Sequence, residues 1–136
     1  MALRLEIVTP EARIFSDEVD SVVLPGTEGE LGILPDHAPL ISTLKPGELA
    51  YSKGGKEDFL AVGEGFVEVT QSAVTVLTDM AVREEEIEEA AVEDAIRRAE
   101  EALEGIVADE EIALAEAAIA KAIAKLALKR KRRRHL

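Results

Sequence analysis

Apolar residues recur at every second position along much of the first half of the chain, and at every third or fourth position beyond Met80. "LRLEIVT" (3–9) sets the first pattern, with Leu3, Leu5 and Ile7 on one side and Arg4 and Glu6 on the other. Alternation of this kind belongs to a strand with one buried face. "VDSVVLP", "HAPLISTL", "GELAYS", "EDFLAVG", "GFVEVT" and "AVTVLTD" follow at short intervals. Each is bounded by Gly, Pro, Asp or Ser, residues that end strands and shape turns. "KGGK" (53–56) predicts a hairpin turn, because glycine adopts positive φ without steric cost. Helical patterns do not separate the strands. A parallel α/β sheet is therefore disfavoured, and a sandwich or flattened barrel is predicted.

Beyond Met80 the period lengthens. From Arg83 onward there is no proline and only Gly105 among glycines, and Ala, Glu, Arg and Lys dominate, as in long helices. A first helix is predicted over about 84–104, with a small-residue stripe through Ile87, Ala91, Ala95, Ala99 and Leu103. Gly105 suits a C-terminal cap and Asp109 an N-cap for a second helix. That helix carries Ile112, Ala115, Ile119, Ala122 and Leu126 at alternating spacings of three and four, a seam for an antiparallel partner. Alanine on both seams permits close approach but buries little area. At about 25 cal/mol per Å² such a hairpin is held modestly, which suits an element that opens.

Charge sharpens this division. The net charge is −12, yet the last eight residues, "KRKRRRHL", hold six basic residues and no acidic ones. The preceding 128 residues carry ten basic against twenty-eight acidic residues, or −18. "EEEIEE" (84–89) at a helix start and "KRKRRR" (129–134) at a helix end both oppose the helix dipole, by about 0.3–1 kcal/mol per favourable charge. The basic run also suits an acidic partner surface. The apolar fraction of 47% is ample for a core, so global disorder is disfavoured. Aromatics at 3% argue against stacking platforms for single-stranded nucleic acid. The absence of cysteine removes disulfides, thiolate nucleophiles and cysteine zinc sites. The opening residues show no signal-peptide pattern, and no apolar run approaches the roughly 20 residues of a membrane helix.

The most distinctive stretch is "LPGTEGELGILPDHAPLI" (24–41), with Gly26, Gly29 and Gly32 three residues apart. A phosphate loop needs a lysine after its glycines; here Glu28 and Glu30 would repel phosphate. "GEGF" (63–66) is too short for a dinucleotide fingerprint. His37 and His135 are the only histidines, with no metal spacing between them. No nucleophile elbow occurs. With no catalytic constellation and no metal site, the stretch is read as a docking loop whose turns carry Glu28, Glu30, Asp36 and His37. The other reading is a structural turn between strands.

"SVVLPGTEGELGILPDHAPLISTLKPGEL" (21–49) resembles the hallmark segment of the epsilon subunit of F-type ATP synthase. The resemblance continues through "GEGFVEV" (63–69) and "VTVLTD" (74–79) and ends in an acidic, alanine-rich helical hairpin. It covers essentially the whole chain. It implies an α+β fold: an N-terminal antiparallel β-sandwich of two five-stranded sheets over residues 1–82, then a C-terminal antiparallel helical hairpin over 83–136. It implies a non-catalytic central-stalk subunit of a proton-driven synthase, peripheral on the cytoplasmic face of a bacterial plasma membrane. The partners implied are the gamma subunit, the c-ring and the alpha/beta catalytic head. Glu28, Glu30 and His37 become candidates for contact with the c-ring or gamma. The helices would be mobile and would inhibit ATP hydrolysis when extended, with Lys129, Arg130, Lys131, Arg132, Arg133 and Arg134 meeting acidic surface on the head. Two alternatives stand beside this: a sandwich whose basic tail binds nucleic acid or anionic lipid, and a small enzyme, for which no constellation was found.

The resemblance departs in one place. Some bacterial relatives bind ATP through an Ile/Leu-Asp-x-x-Arg-Ala motif, and the matching stretch here is Ile87-Glu88-Glu89-Ala90-Ala91-Val92. The arginine that would grip an anion is alanine, and Arg98 on the same helix is thin replacement. No cofactor is therefore expected. Calorimetric titration with ATP should give millimolar affinity or none; a micromolar dissociation constant would contradict this reading.

Overall fold

The computed structural model describes residues 3–105 and 108–134, the side chains of 132–134 excepted. Ten strands come first: β1 (Leu3–Val8), β2 (Arg13–Val19), β3 (Ser21–Gly26), β4 (Gly29–Ile33), β5 (Leu40–Leu44), β6 (Gly47–Lys53), β7 (Lys56–Val62), β8 (Gly65–Val69), β9 (Ala73–Thr78) and β10 (Ala81–Arg83). A 3-10 turn (Glu84–Glu86) leads to α1 (Glu89–Glu104) and α2 (Asp109–Arg134). Hydrogen bonds link the strands in the order β10-β7-β6-β3-β5-β8-β9-β1-β2, with β4 on the free side of β3. A single pairing, Gly26 with Leu44, joins β3 to β5. It divides the path into two five-stranded layers, β10-β7-β6-β3-β4 and β5-β8-β9-β1-β2. The sandwich is thus present, and its strands are antiparallel except β1 and β9, which run parallel.

The alternation read from the sequence builds the core. Leu3, Leu5 and Ile7 of β1 are fully buried, as are Val67 of β8 and Val74 and Val76 of β9. They meet Val22, Leu24, Leu49, Leu60 and Val62 of the other layer. Burial of each such side chain contributes about 1.5–3 kcal/mol, so this interlayer cluster dominates stability. Phe15 of β2 and Tyr51 of β6 lie 4.7 Å apart between ring centres and add an aromatic contact between the layers. Near them Lys53 pairs with Asp17, the Asp20 N–H donates to the Ser52 carbonyl at 2.7 Å, and the Gly54 N–H donates to the Asp20 carboxylate at 2.9 Å. These bonds fix where the chain crosses from β2 in one layer to β3 in the other.

Several elements differ from the sequence expectation. The glycine stretch is half strand: β3 and β4 form a hairpin closed by Thr27 and Glu28, with Gly29 at φ +132°. Polar residues in β4 face solvent, which hid its strand character. The segment Arg13–Val19 and the three-residue β10 were also missed, because neither alternates cleanly. The first helix begins at Glu89 rather than 84, since Ile87 is extended (φ −83°, ψ 123°) and buried. Burying Ile87 shifts the helix phase. Val92, Ile96, Ala99 and Leu103 line the covered side, while Ala91 and Ala95 are exposed. The larger side chains take the buried positions. Gly105 does follow α1, but at φ −103° it uses no left-handed geometry. Asp109 is the first residue of α2 rather than its cap. The α2 seam is as read: Ile112, Ala115 and Ile119 are half-buried, and Ala122 and Leu126 are buried.

Two predictions follow from this packing. A Cβ at Gly65 would overlap the Leu77 carbonyl oxygen and approach the Thr78 Cα to 2.8 Å, whereas one at Gly32 meets nothing within 4 Å. Gly65→Ala should cost about 2 kcal/mol or more in urea unfolding, and Gly32→Ala less than about 0.5 kcal/mol. Lys53, then the Glu18 N–H, hold the Asp17 carboxyl below its ordinary value of 3.8. A carboxylate depressed in the folded state adds stability above its unfolded value and loses it as pH falls through the folded one. Asp17→Asn should therefore lower the urea midpoint at pH 7, and the difference should shrink as pH falls below 3.8.

Candidate functional site

Each layer of the sandwich has an outer face, and the two are treated differently. On β5-β8-β9-β1 the register places Thr43, Phe66, Leu77 and Val8 in one row across the strands. Ile41, Glu68, Thr75 and Glu6 form the next row. No described helix lies over them. Ile41 is 74% exposed, Phe66 57% and Leu77 52%. Shallow hollows flank the Phe66 ring, one lined by Thr27, Thr43, Lys45 and Pro46, the other by Val8, Pro10 and Leu77. Exposed apolar side chains grouped on one sheet face mark a contact surface more than a solvent surface. The sequence held a signal for this. In "GFVEV" the inward positions are Val67 and Val69, so Phe66 shares the outward side with Glu68.

Two of the three sequence-derived contact candidates, Glu28 and His37, fall around this face without meeting one another. Glu28 is exposed in the β3–β4 turn, beside which the Thr27 and Thr43 hydroxyls are 2.7 Å apart. His37 follows the far end of β4, half-buried. Its N–H donates to the Leu34 carbonyl at 3.2 Å, and its Nδ1 lies 2.7 Å from the Ala38 carbonyl oxygen. Asp36, at φ +67°, donates its N–H to the Gln71 carbonyl at 2.9 Å and so ties this turn to the β8–β9 turn. Glu28 and His37 thus bracket β5 from its two ends. Glu30 points elsewhere: it lines a cleft of about 340 Å³ with Val23, Glu48, Glu57, Phe59 and Lys131, on the other outer face.

That other face is covered. Glu48, Ala61 and Val82 form a row across β6, β7 and β10. Ala61 is fully buried, in a cluster with Ile87, Val92, Ala122, Leu126 and Leu128. The strip is narrow, and ion pairs surround it. Lys121 reaches Asp79 at 2.8 Å and Lys129 reaches Glu84 at 3.4 Å. Arg130 spans Glu89 at 2.9 Å and Glu93 at 2.7 Å. Lys131 meets Glu48 at 3.1 Å and lies 5.9 Å from the Phe59 ring centre. The hydrogen bonds to Glu89 and then Glu93 push the Arg130 guanidinium further toward its charged form. Three of the six tail cations are therefore engaged within the chain; the side chains of Arg132, Arg133 and Arg134 lie outside the described residues. Sequence reasoning missed these pairings, because the partners are as far apart as 83 positions.

The stretch matched to the ATP motif serves the same contact. Ile87 and Val92 are buried in the strip and Glu89 holds Arg130. Arg98 is exposed and paired with Asp94 at 3.2 Å. Among the described residues no group of three or more acidic or histidine side chains is placed to hold a metal. No described helix is long and apolar enough to cross a membrane.

Comparison with known proteins yields a consistent set. Residues 2–84 match the family model described as ATP synthase, Delta/Epsilon chain, beta-sandwich domain. The ATP synthase epsilon chain of Herpetosiphon aurantiacus is 44% identical over 133 residues, covering 98% of each chain. That of Desulforamulus reducens is 48% identical over 120 residues, covering 88% of this chain and 91% of its own. Among solved structures, a chain of the Euglena gracilis mitochondrial ATP synthase (OSCP/F1/c-ring) superposes with a TM-score of 0.77 at 26% identity, covering 93% of this chain and 80% of its own.

Proposed function

The chain belongs to the family of ATP synthase epsilon chains, and on that premise we propose that it is a central-stalk subunit that couples c-ring rotation to the catalytic head. Its partners on this reading are the gamma subunit, the c-ring and the alpha/beta head. The division is at about residue 82: the sandwich docks and the helices regulate, lowering ATP hydrolysis when they extend. The subunit has no active site of its own and no bound nucleotide. It acts at the cytoplasmic face of a bacterial plasma membrane, as a peripheral part of a proton-driven synthase.

The observation that carries this reading is the bare row of Phe66 and Leu77, with Ile41 beside it, on the outer face that no described helix covers. Such a face is suited to a rigid apolar partner, and we assign it to gamma. On this reading Glu28 and His37, at the two ends of β5, meet polar groups at its margins, including those of the c-ring. On this reading Glu30, which lines the same cleft as Lys131, acts through the helices as well as through direct contact. The tail as a nucleic-acid or lipid anchor is disfavoured, because Lys129, Arg130 and Lys131 already meet acids of their own chain.

The test is ATP hydrolysis by a catalytic head lacking this subunit, with binding to the head measured in parallel. Full-length protein should bind and slow hydrolysis. A version ending at Arg83 should bind without slowing it. The triple variant Ile41→Ser, Phe66→Ser, Leu77→Ser should lose at least about tenfold in affinity, since fully burying each side chain contributes about 1.5–3 kcal/mol. Unchanged binding by the triple variant would remove the docking face. Binding by full-length protein without any slowing would remove the regulatory role.

A further inference from the structure

Asparagine is absent from the chain, and glutamine occurs once, at Gln71. Cysteine is absent too, and the methionines are Met1 and Met80. These four residue types are the ones depleted in proteins that work hot, because their side chains decay chemically there. The avoidance reaches positions where asparagine is the usual choice. The β6–β7 hairpin turns on Gly54 at φ +59° and Gly55 at φ +79°. Two positive φ angles in a two-residue hairpin loop favour Asn-Gly strongly. A Cβ at Gly54 meets nothing within 4 Å, so packing does not demand glycine there. Glycine also loses more conformational freedom on folding than asparagine, yet glycine is what the chain uses. Asp36 stands at φ +67°, a conformation that asparagine and aspartate share, and there the chain uses the one with no amide to lose. No aspartate precedes glycine, the neighbour that most favours ring closure onto the main chain.

The scaffold points the same way. Charged residues make up 32% of the chain, against about 25% in ordinary domains. Some of these charges are shared between pairs: Asp94 meets both Arg97 and Arg98, and Arg130 meets both Glu89 and Glu93. An isolated exposed pair contributes little at 25 °C, but networks gain as the cost of dehydrating charge falls with temperature. The connections β3–β4, β5–β6, β6–β7, β7–β8 and β9–β10 are two residues each, and short loops belong to the same adaptation. We propose that the chain is built for sustained service at high temperature, with its composition set by chemical decay as well as by unfolding. The decay in question is deamidation. The next residue's backbone nitrogen attacks the side-chain amide carbon of asparagine, ammonia leaves, and water opens the cyclic imide to aspartate or isoaspartate. Isoaspartate lengthens the main chain by a methylene, which a two-residue turn between paired strands cannot absorb without disturbing their register. The durability is a property of the free chain; that the assembly it serves is a synthase rests on the function proposed above. It is tested without partners, so its failure leaves that function standing.

Thermal unfolding of the full chain is followed at Tyr51, the only tyrosine and buried in the core. The midpoint should lie above the range of about 45–65 °C typical of mesophile domains. A midpoint inside that range would overturn the proposal, since codon bias alone gives the same composition with an ordinary midpoint. The second measurement uses Gly54→Asn, which places an Asn-Gly pair in an exposed turn that accepts it. The variant should unfold within a few degrees of the parent. Both proteins are then held for a day about 10 °C below the parent's midpoint, and intact masses and refolding are compared. The parent should keep its mass and refold on cooling. The variant should gain the mass that marks conversion of amide to acid, and lose refolding in proportion. Equal mass gain in the two proteins would overturn the part assigned to chemical decay. If the variant failed to fold, the parent's midpoint would still decide the proposal.

Discussion

The rest of the arrangement depends on one contact, in which Ala61 of β7, with Phe59 and Val82 packed around it, meets Ala122, Leu126 and Leu128 of α2. Alanine at the centre of that face lets the helix come close, and the larger Phe59 and Val82 are only partly buried beside it. The remaining affinity must come from the edges, and there the chain places its charges. This accounts for two features that composition alone left unconnected: the acidic run that opens the helical region and the basic run that ends it. Each was legible as a well-terminated helix end. In the structure they face one another across the hairpin, Arg130 against Glu89 and Glu93, Lys129 against Glu84. The same residues thus terminate the helices and pair with one another when the helices are folded back.

The sandwich beneath is of another kind. Its interior is filled by Leu, Ile and Val from both layers, and no described buried side-chain polar atom lacks a partner. A unit with that core is rigid enough to carry two independent outer faces. One is covered by a helix that contributes few apolar contacts. The other is left bare, with Phe66 and Leu77 side by side. A chain that stood alone in solution would have little use for either. A chain that docks by one face and moves an arm over the other has use for both, and this fits a subunit held in a rotating stalk.

The sequence made the core and the order of elements legible because strand alternation and helical spacing are local. Leu3, Leu5 and Ile7 could be assigned to one side without knowing what they touch. The division near Met80 was visible as a change of composition. What remained hidden depended on distant residues. β4 was concealed because its outward side chains are polar and its glycines read as turns. The phase of α1 was misread because Ile87 is drawn out of the helix and into the strip beside Ala61. The candidates Glu28, Glu30 and His37 came from resemblance, and a linear reading could not show that Glu30 turns toward the helix-covered face. The pairing of these acids with the basic run had no local signature, since Glu48 and Lys131 meet across most of the chain.

The central claim is that the helical hairpin leaves the sandwich as a unit at far less cost than unfolding the core. Residue-resolved native-state hydrogen exchange measures this directly on the full chain. Amides of α2 around Ala122–Leu128 should exchange through an opening at least about 2 kcal/mol cheaper than the slowest amides of β1, β8 and β9. Protection of α2 equal to that of the core strands would mean that helix and sandwich unfold only together, and would contradict the account.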